Sequence, residues 1–307
     1  MIRPKKLLAI AGPTASGKTK ISIDLALKNN AEIISSDSLL VYKHLDIGTA
    51  KPTNEERKTI KHHLIDIVEP WDNYTISDFH KDALSAIDNI SVRNKQFIVT
   101  GGAGFYLNAL INSTFEAPKS DPEIRKTLEN RLKEGTPLGT LHNELKSIDP
   151  ETAKRVHPND EYRILRALGV YLSTGKTMTS FRQQHQDSKN KETVFEPLII
   201  VLNPEKEELK TNIEVRTKKM FKDGLVEETK NLLKIGCTPD MKPLKSIGYK
   251  QAMELISRKI SKEEAFASVI KDTAALAKRQ ITWFKKQPFT IWLHPIRDIE
   301  EIRRLAC

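Results

Sequence analysis

Residues 10–19 read Ile-Ala-Gly-Pro-Thr-Ala-Ser-Gly-Lys-Thr and satisfy the spacing G-x-x-x-x-G-K-[ST] through Gly12, Gly17, Lys18 and Thr19. The pattern works only where a strand feeds a tight turn that opens a helix. Successive N–H groups and the positive end of the helix then point at one anion. The flanks supply both elements: Leu7-Leu8-Ala9-Ile10 reads as a buried strand and Ile21 to Asn29 as a helix. Gly12, Pro13, Thr14, Ala15, Ser16, Gly17, Lys18 and Thr19 are therefore assigned to a polyphosphate cradle. Lys18 is a point charge for a terminal phosphate, and the Thr19 hydroxyl is a ligand for Mg²⁺. The motif leaves open which polyphosphate is bound and what is done to it.

Glu32-Ile33-Ile34-Ser35 reads as a second strand ending at Ser36-Asp37-Ser38. Ligands of a doubly wound parallel sheet sit outside the carboxyl ends of its strands, which puts Asp37 beside the phosphate loop. After the turn-rich Leu45 to Pro52, residues His62 to Ile67 resemble a third strand. His62 and His63, being adjacent, face opposite ways on a strand and read as structural rather than as a metal pair. Ser77 is expected to cap a helix with Phe79, Ala83, Ile87 and Ile90 on one face. Phe97 to Thr100 is a buried strand, followed by Gly101-Gly102-Ala103-Gly104 and a helix from Phe105 to Ile111. No apolar strand ends in a clear magnesium-holding Asp; Asp37 and Asp66 are the stand-ins, which argues against a motor or switch.

Composition shifts between Phe115 and Pro122, and from there to Thr193 only helices are expected. Asp121 and Pro122 open one, with Ile124, Leu128 and Leu132 on one face. Leu138, Leu141, Leu145 and Ile148 mark a second. A third runs from Asn159-Asp160 to Thr174, stopped by Gly175, with Leu165, Leu168 and Leu172 as its apolar stripe. Arg163 and Arg166 share a face there, suited to a phosphate backbone or simply to solvent. Gln183 to Lys191 reads as a polar, flexible return. The apolar strand Val194 to Leu202 resumes the α/β pattern, so the helical piece is inserted.

The expected fold class is thus α/β: a P-loop-type doubly wound parallel sheet core, an inserted all-helical domain and a helical C-terminal region. The core takes residues 1–116 and 194–307, and the insertion 117–193. In the last third, Asn203-Pro204 starts a helix carrying Arg216 and ending near Gly224, and another ends at Gly236. Lys245 to Lys250 opens a helix with a basic, aromatic lip. Ser261 and Glu264 form a capping box for a long helix to about Lys286. Lys271, Lys278, Thr282 and Lys285 recur on one face of it, with Phe266, Val269, Leu276 and Trp283 turned inward. Phe289 to Leu293 makes a last strand before a short basic helix.

The net charge of +10 is unevenly spread: +1 over residues 1–116, +3 over 117–193 and +6 over 194–307. That distribution suits a small anion held at one end and a polyanion along the rest. No run is long enough for a membrane span. Met1 to Lys6 lacks an apolar leader, and the two cysteines, Cys237 and Cys307, cannot form a zinc site. A cytoplasmic protein is expected.

Five of these segments, in order and spacing, resemble the tRNA dimethylallyltransferase family, also called tRNA isopentenyltransferases. They are Gly12 to Thr19; Ser36-Asp37-Ser38 leading to Asp46-Ile47-Gly48-Thr49-Ala50-Lys51-Pro52; His157-Pro158-Asn159-Asp160 with Arg163 and Arg166-Ala167-Leu168; Ser246-Ile247-Gly248-Tyr249; and Lys278-Arg279-Gln280-Ile281-Thr282-Trp283. The resemblance covers nearly the whole chain. It implies Mg²⁺-dependent transfer of a dimethylallyl group from dimethylallyl diphosphate to N6 of the adenosine 3′ of a tRNA anticodon. The insertion would grip the anticodon stem-loop. Asp37 would be the general base, Arg216 a diphosphate clamp, and Lys18 a third catalytic group. The resemblance also implies RNA contacts at Asp37, Ser38, Leu39, Leu40 and Ala103. In the insertion they would fall at Arg125, Tyr162, Arg163 and Arg166. Towards the C-terminus they would fall at Lys245, Gly248, Tyr249 and Lys250, and then at Lys278, Arg279, Gln280, Thr282, Trp283 and Lys285. A monomer is expected, and the end at Cys307 without a zinc finger suggests the bacterial type.

Two positions depart from the family pattern. Ala103 stands where a Thr or Ser usually follows Gly-Gly, removing a hydroxyl. Leu40 replaces a common Gln, removing an amide contact to the adenine. Two other readings share the loop. A kinase of a small acceptor predicts ATP turnover, and a nucleotide-gated, non-catalytic RNA-binding protein would have no need of Asp37.

Overall fold

In a computed structural model describing residues 5–112, 117–189 and 195–306, the chain opens with β1 (Lys5–Ala11), the phosphate loop and α1 (Lys18–Lys28). β2 (Ala31–Ser35), α2 (Asn54–Thr59), β3 (His62–His63) and α3 (Ile76–Val92) follow. β4 (Gln96–Gly101) and α4 (Gly104–Asn112) complete this half. Then come α5 (Pro122–Lys133), α6 (Leu138–Ile148), α7 (Pro150–Arg155), α8 (Glu161–Thr174) and α9 (Met178–Lys189). β5 (Phe195–Leu202) resumes the sheet, followed by α10 (Lys206–Asp223), α11 (Leu225–Lys234), α12 (Tyr249–Ile256), α13 (Lys262–Phe284), β6 (Thr290–Leu293) and α14 (Ile299–Ala306).

The strands form one parallel sheet in the order β3-β2-β4-β1-β5-β6. Side chains alternate across a strand, and here both faces are covered. From β1, Leu7, Ala9 and Ala11 enter one core with Phe79, Ile87 and Leu107 of α3 and α4. Ile10 enters the other, with Ile21 and Leu25 of α1 and Ile302 of α14. β4 and β5 divide likewise: Val99 and Val201 join the first core, Ile98 and Ile200 the second. Because all strands run the same way, the loops after β1, β2 and β4 leave the sheet at one end.

The chain divides into two compact units, Met1–Ser113 with Val194–Cys307, and Thr114–Thr193. The second has its own core, in which Leu128, Leu141, Leu145, Ile164, Leu165 and Leu168 are buried. No helix among the described residues is long and apolar enough to cross a membrane.

Several local expectations change. The strand expected over His62 to Ile67 is limited to His62–His63, because Leu64 and Asp66 adopt left-handed backbone at φ 61° and 56°. α3 is capped by Thr75, which shares a capping box with Asp78, not by Ser77. The flexible return at Gln183 is instead α9 as far as Lys189. Asp149 helps to fix its start, accepting from the Thr179 amide at 3.0 Å; Asn190 and Lys191 lie outside the described residues. Leu172 is half exposed, and the buried stripe of α8 uses Ile164 and Val170 as well. On α13 the buried side chains are Ala265, Val269, Thr273, Ala277 and Phe284.

Glu32 anchors the strand that delivers Asp37. Its buried carboxylate accepts two hydrogen bonds from Arg93, at 2.5 and 2.8 Å, and meets His63 at 2.7 Å and Lys95 at 3.1 Å. The Arg93 guanidinium, working against burial and assisted by His63 and Lys95, draws its pKa from 4.5 to about 2. A carboxylate with a depressed folded pKa stabilises above its unfolded pKa, and that stabilisation is lost as pH falls through the folded value. Glu32→Gln should therefore cost about 1–3 kcal/mol at pH 7. The gap in denaturant melts should shrink between about pH 4.5 and 2; a constant gap would contradict this account.

Candidate active site

The loops after β1, β2 and β4 wall a cavity of about 850 Å³ together with α10 and α13. Gly12 has φ 141°, and a Cβ there would lie 2.7 Å from the Leu202 carbonyl oxygen of β5. Only glycine lets β1 turn so close to its neighbour. Gly17, at φ 87°, then starts α1. Ala15 is also left-handed, at φ 64°. The amides of the first turn of α1 have no intrahelical acceptor, which makes the loop a ready anion cradle.

Lys18 lines the cavity and donates to its own loop, to Gly12 O at 3.1 Å and Pro13 O at 2.7 Å. Burial, reinforced by Arg216 and opposed by Asp37, lowers its pKa to about 7. Arg216 reaches the same cavity from α10 and donates to Thr49 O at 3.1 Å; burial lowers its pKa too, and Asp37 opposes this. Asp37 also lines the cavity, with Oδ1 fixed by the Leu39 amide at 2.9 Å. One cavity thus brings together a phosphate loop, the part-buried cations Lys18 and Arg216, and the carboxylate of Asp37.

The segment 45–52 is held by a residue that the sequence reading passed over. The Glu228 carboxylate of α11 accepts from the backbone amides of Asp46, Ile47 and Gly48 at 2.9, 2.8 and 3.0 Å, and from the Tyr249 hydroxyl at 2.6 Å. Lys51, with its head group buried, meets Asp46 at 2.6 Å and Asp66 at 2.5 Å. Asp66 is further bound by Arg57 at 2.5 Å, so of the two carboxylates considered for a metal, Asp37 alone lines the cavity. A lone Glu among helical charges gives no sequence signal; the run of backbone amides facing it exists only in the folded chain.

The residues expected to contact RNA have different surroundings in the fold. Lys278, Arg279 and Thr282 of α13 are exposed, as are Lys285 at its C-cap, Lys245 before α12 and Lys250 within α12. In the second unit, Tyr162 is 68% exposed, with the Arg125 guanidinium 5.6 Å from its ring centroid. Arg163 is exposed but paired with Asp160. Arg166 is part-buried and donates from Nη2 to Ala117 O at 2.8 Å. Tyr249 and Gly248 are buried: the Tyr249 ring fills the space that a Cβ on Gly48 would take, so no aromatic lip exists. Trp283 packs over Gly104, where a Cβ would meet its ring at 2.2 Å. Gln280 faces the loops, accepting from the Thr14 amide at 2.8 Å and donating to Gly102 O at 3.0 Å. Leu40 lines the cavity, whereas Ser38, Leu39 and Ala103 do not.

No cluster of three or more His, Cys, Asp or Glu side chains suited to a metal exists among the described residues. Thr19 and Asp37 do line the cavity. That sparse set fits Mg²⁺, which keeps several waters and completes its shell with phosphate oxygens.

A family model described as IPP transferase matches residues 40–287. The tRNA dimethylallyltransferase 1 of Citrifermentans bemidjiense is 40% identical over 288 residues, covering 94% of this chain and 92% of its own. The tRNA dimethylallyltransferase of a Thermoanaerobacter species is 42% identical over 306 residues, covering 97% and 95%. The full-length tRNA isopentenylpyrophosphate transferase structure from Bacillus halodurans superposes with a TM-score of 0.71 at 33% identity, over 98% of this chain and 95% of that one. A eukaryotic dimethylallyltransferase acting on tRNA gives a TM-score of 0.80 at 29% identity, over 98% and 77%.

The lowered pKa of Lys18 makes anion binding depend on pH. Below about pH 7 its ammonium is in place; above it, binding a phosphate anion must draw a proton onto the amine. The affinity advantage of the wild type over Lys18→Met for inorganic diphosphate should be level below pH 7. It should then fall by up to about tenfold per pH unit above that, with proton uptake approaching one per ligand. Calorimetry in buffers of different ionisation enthalpy reads both quantities, and a pH-independent advantage would refute the shift.

Proposed function

The chain belongs to the IPP transferase family, and from that premise we propose that it prenylates tRNA. The dimethylallyl group of dimethylallyl diphosphate is transferred to N6 of the adenosine 3′-adjacent to the anticodon. The observation that carries this reading is the single cavity that Asp37, Lys18 and Arg216 line together with the phosphate loop. A kinase or a nucleotide-gated binding protein would share the loop, but the relatives are named as transferases acting on tRNA.

In the proposed reaction the bond from N6 to the allylic carbon forms as the carbon–oxygen bond to diphosphate breaks. The electron pair leaves with the diphosphate. Loop amides, Lys18 and Arg216 stabilise the charge that develops there, which is the usual dominant contribution to such a step. The N6 proton passes to the Asp37 carboxylate, whose orientation the Leu39 amide fixes. Bound Mg²⁺, for which the Thr19 hydroxyl is the available side chain, would supply further charge neutralisation on the diphosphate, leaving the Asp37 carboxylate to take the proton. The adenosine must leave its stack to reach the cavity. Leu40, which lines the cavity, offers this base no amide, so shape carries more of its recognition. The enzyme acts as a cytoplasmic monomer, with the helical unit on the anticodon stem-loop.

Incubation with dimethylallyl diphosphate, Mg²⁺ and unmodified tRNA should yield a prenylated adenosine by nucleoside mass analysis. Asp37→Ala should lower the rate by roughly 10²–10⁴-fold and leave tRNA affinity intact. Near-normal transfer by that variant would remove Asp37 from the mechanism, and absence of product from the wild type would remove the function. Lys278→Ala and Lys285→Ala should each reduce the salt slope of tRNA binding by about one unit. Unchanged slopes would take these residues off the RNA surface.

A further inference from the structure

Gln280 occupies the same helix as the exposed residues Lys278, Arg279, Thr282 and Lys285, yet it lies about 200° around the helix from Lys278 and Thr282, on the side of buried Ala277 and Phe284. Both ends of its amide are used. Oε1 accepts from Thr14 N–H at 2.8 Å, and Nε2 donates to Gly102 O at 3.0 Å. A Cβ on Gly102 would stand 2.3 Å from Nε2, so the glycine provides the space into which the amide fits. The loop beside it needs holding. Ala15 carries a left-handed φ of 64°, a conformation that residues with a Cβ rarely keep unless neighbours impose it. The neighbours are visible on both sides: Gln280 takes the amide of Thr14, and Asn212 donates to Ala15 O at 3.2 Å.

We infer that Gln280 is a positioning residue of the donor site, a clasp that joins the two glycine loops and presets the phosphate loop, rather than a residue that reads RNA. Lys278 and its exposed neighbours remain available to the tRNA backbone from the opposite face of the helix. The inference rests on the diphosphate reading of the loop. The removal of either half of the clasp, by Gln280→Ala or by Gly102→Ala, lets Thr14 and Ala15 relax, and a ligand must then re-order them on binding.

The test is calorimetric binding of inorganic diphosphate, with tRNA binding and thermal melting measured on the same variants. Gln280→Ala and Gly102→Ala should each weaken diphosphate binding by roughly tenfold. The double variant should be no worse than either single one, because both remove one shared interaction. The affinity and salt slope of tRNA binding should stay at wild-type values, which a merely destabilised fold would not combine with a selective loss of diphosphate. Weaker tRNA binding with unchanged diphosphate affinity would make Gln280 an RNA contact, and additive losses in the double variant would deny a shared clasp. A wild-type protein that binds no diphosphate would overturn the proposed function itself, whereas normal diphosphate binding by Gln280→Ala would overturn only this inference.

Discussion

Lys18 and Arg216 line one cavity with Asp37, and holding these two cations there against desolvation is what the rest of the structure has to accommodate. Lys18 and Arg216 are held where burial works against their charge, and Asp37 compensates only in part. Backbone carbonyls of Gly12, Pro13 and Thr49 complete their hydrogen bonding. Such an arrangement is poised for an anion: under the proposed function a diphosphate would meet donors already oriented, so little reorganisation would accompany its development as a leaving group.

Holding that arrangement falls to residues outside the cavity. Glu228 gathers three consecutive amides and a tyrosine hydroxyl, and so fixes the segment whose Thr49 carbonyl orients Arg216. Lys51, Asp66 and Arg57 form a second network at the same segment. The small residues belong to the same design. Gly48 admits the Tyr249 ring, Gly101 approaches Ser36, and Gly104 admits Trp283, each at distances a Cβ would forbid. Satisfied polar networks of this kind specify one geometry, because leaving any member unpaired in a low dielectric is costly.

Helix α13 shows how one element serves two roles. Its outer face carries cations suited to a polyanion, and its inner face carries Gln280 and Trp283, which touch the glycine loops. A six-residue motif of this helix therefore mixes residues of different kinds. Arg279 and Thr282 point to solvent while Gln280 and Trp283 are structural partners of the site. The same division explains Tyr249, whose hydroxyl serves Glu228 rather than RNA.

The sequence alone carried much of what depends on short-range pattern. The phosphate loop, the alternation of buried strands with capped helices, the helical insertion between two halves of one sheet and the position of Asp37 at a strand end were all legible. Each follows from spacing, capping or the direction of parallel strands. Local signals also misled where two explanations shared one pattern. A polar run at Gln183 reads as a loop although Asp149, far along the chain, fixes the start of a helix there. The strand expected beyond His63 fails because Leu64 and Asp66 take left-handed backbone. Only the tertiary structure decided which side of each helix meets which loop. On that depend the pairing of Glu228 with three amides, the inward turn of Gln280 and the burial of Tyr249. Hydrogen bonds between residues far apart along the chain leave no periodicity behind them, so nothing in a single sequence announces them.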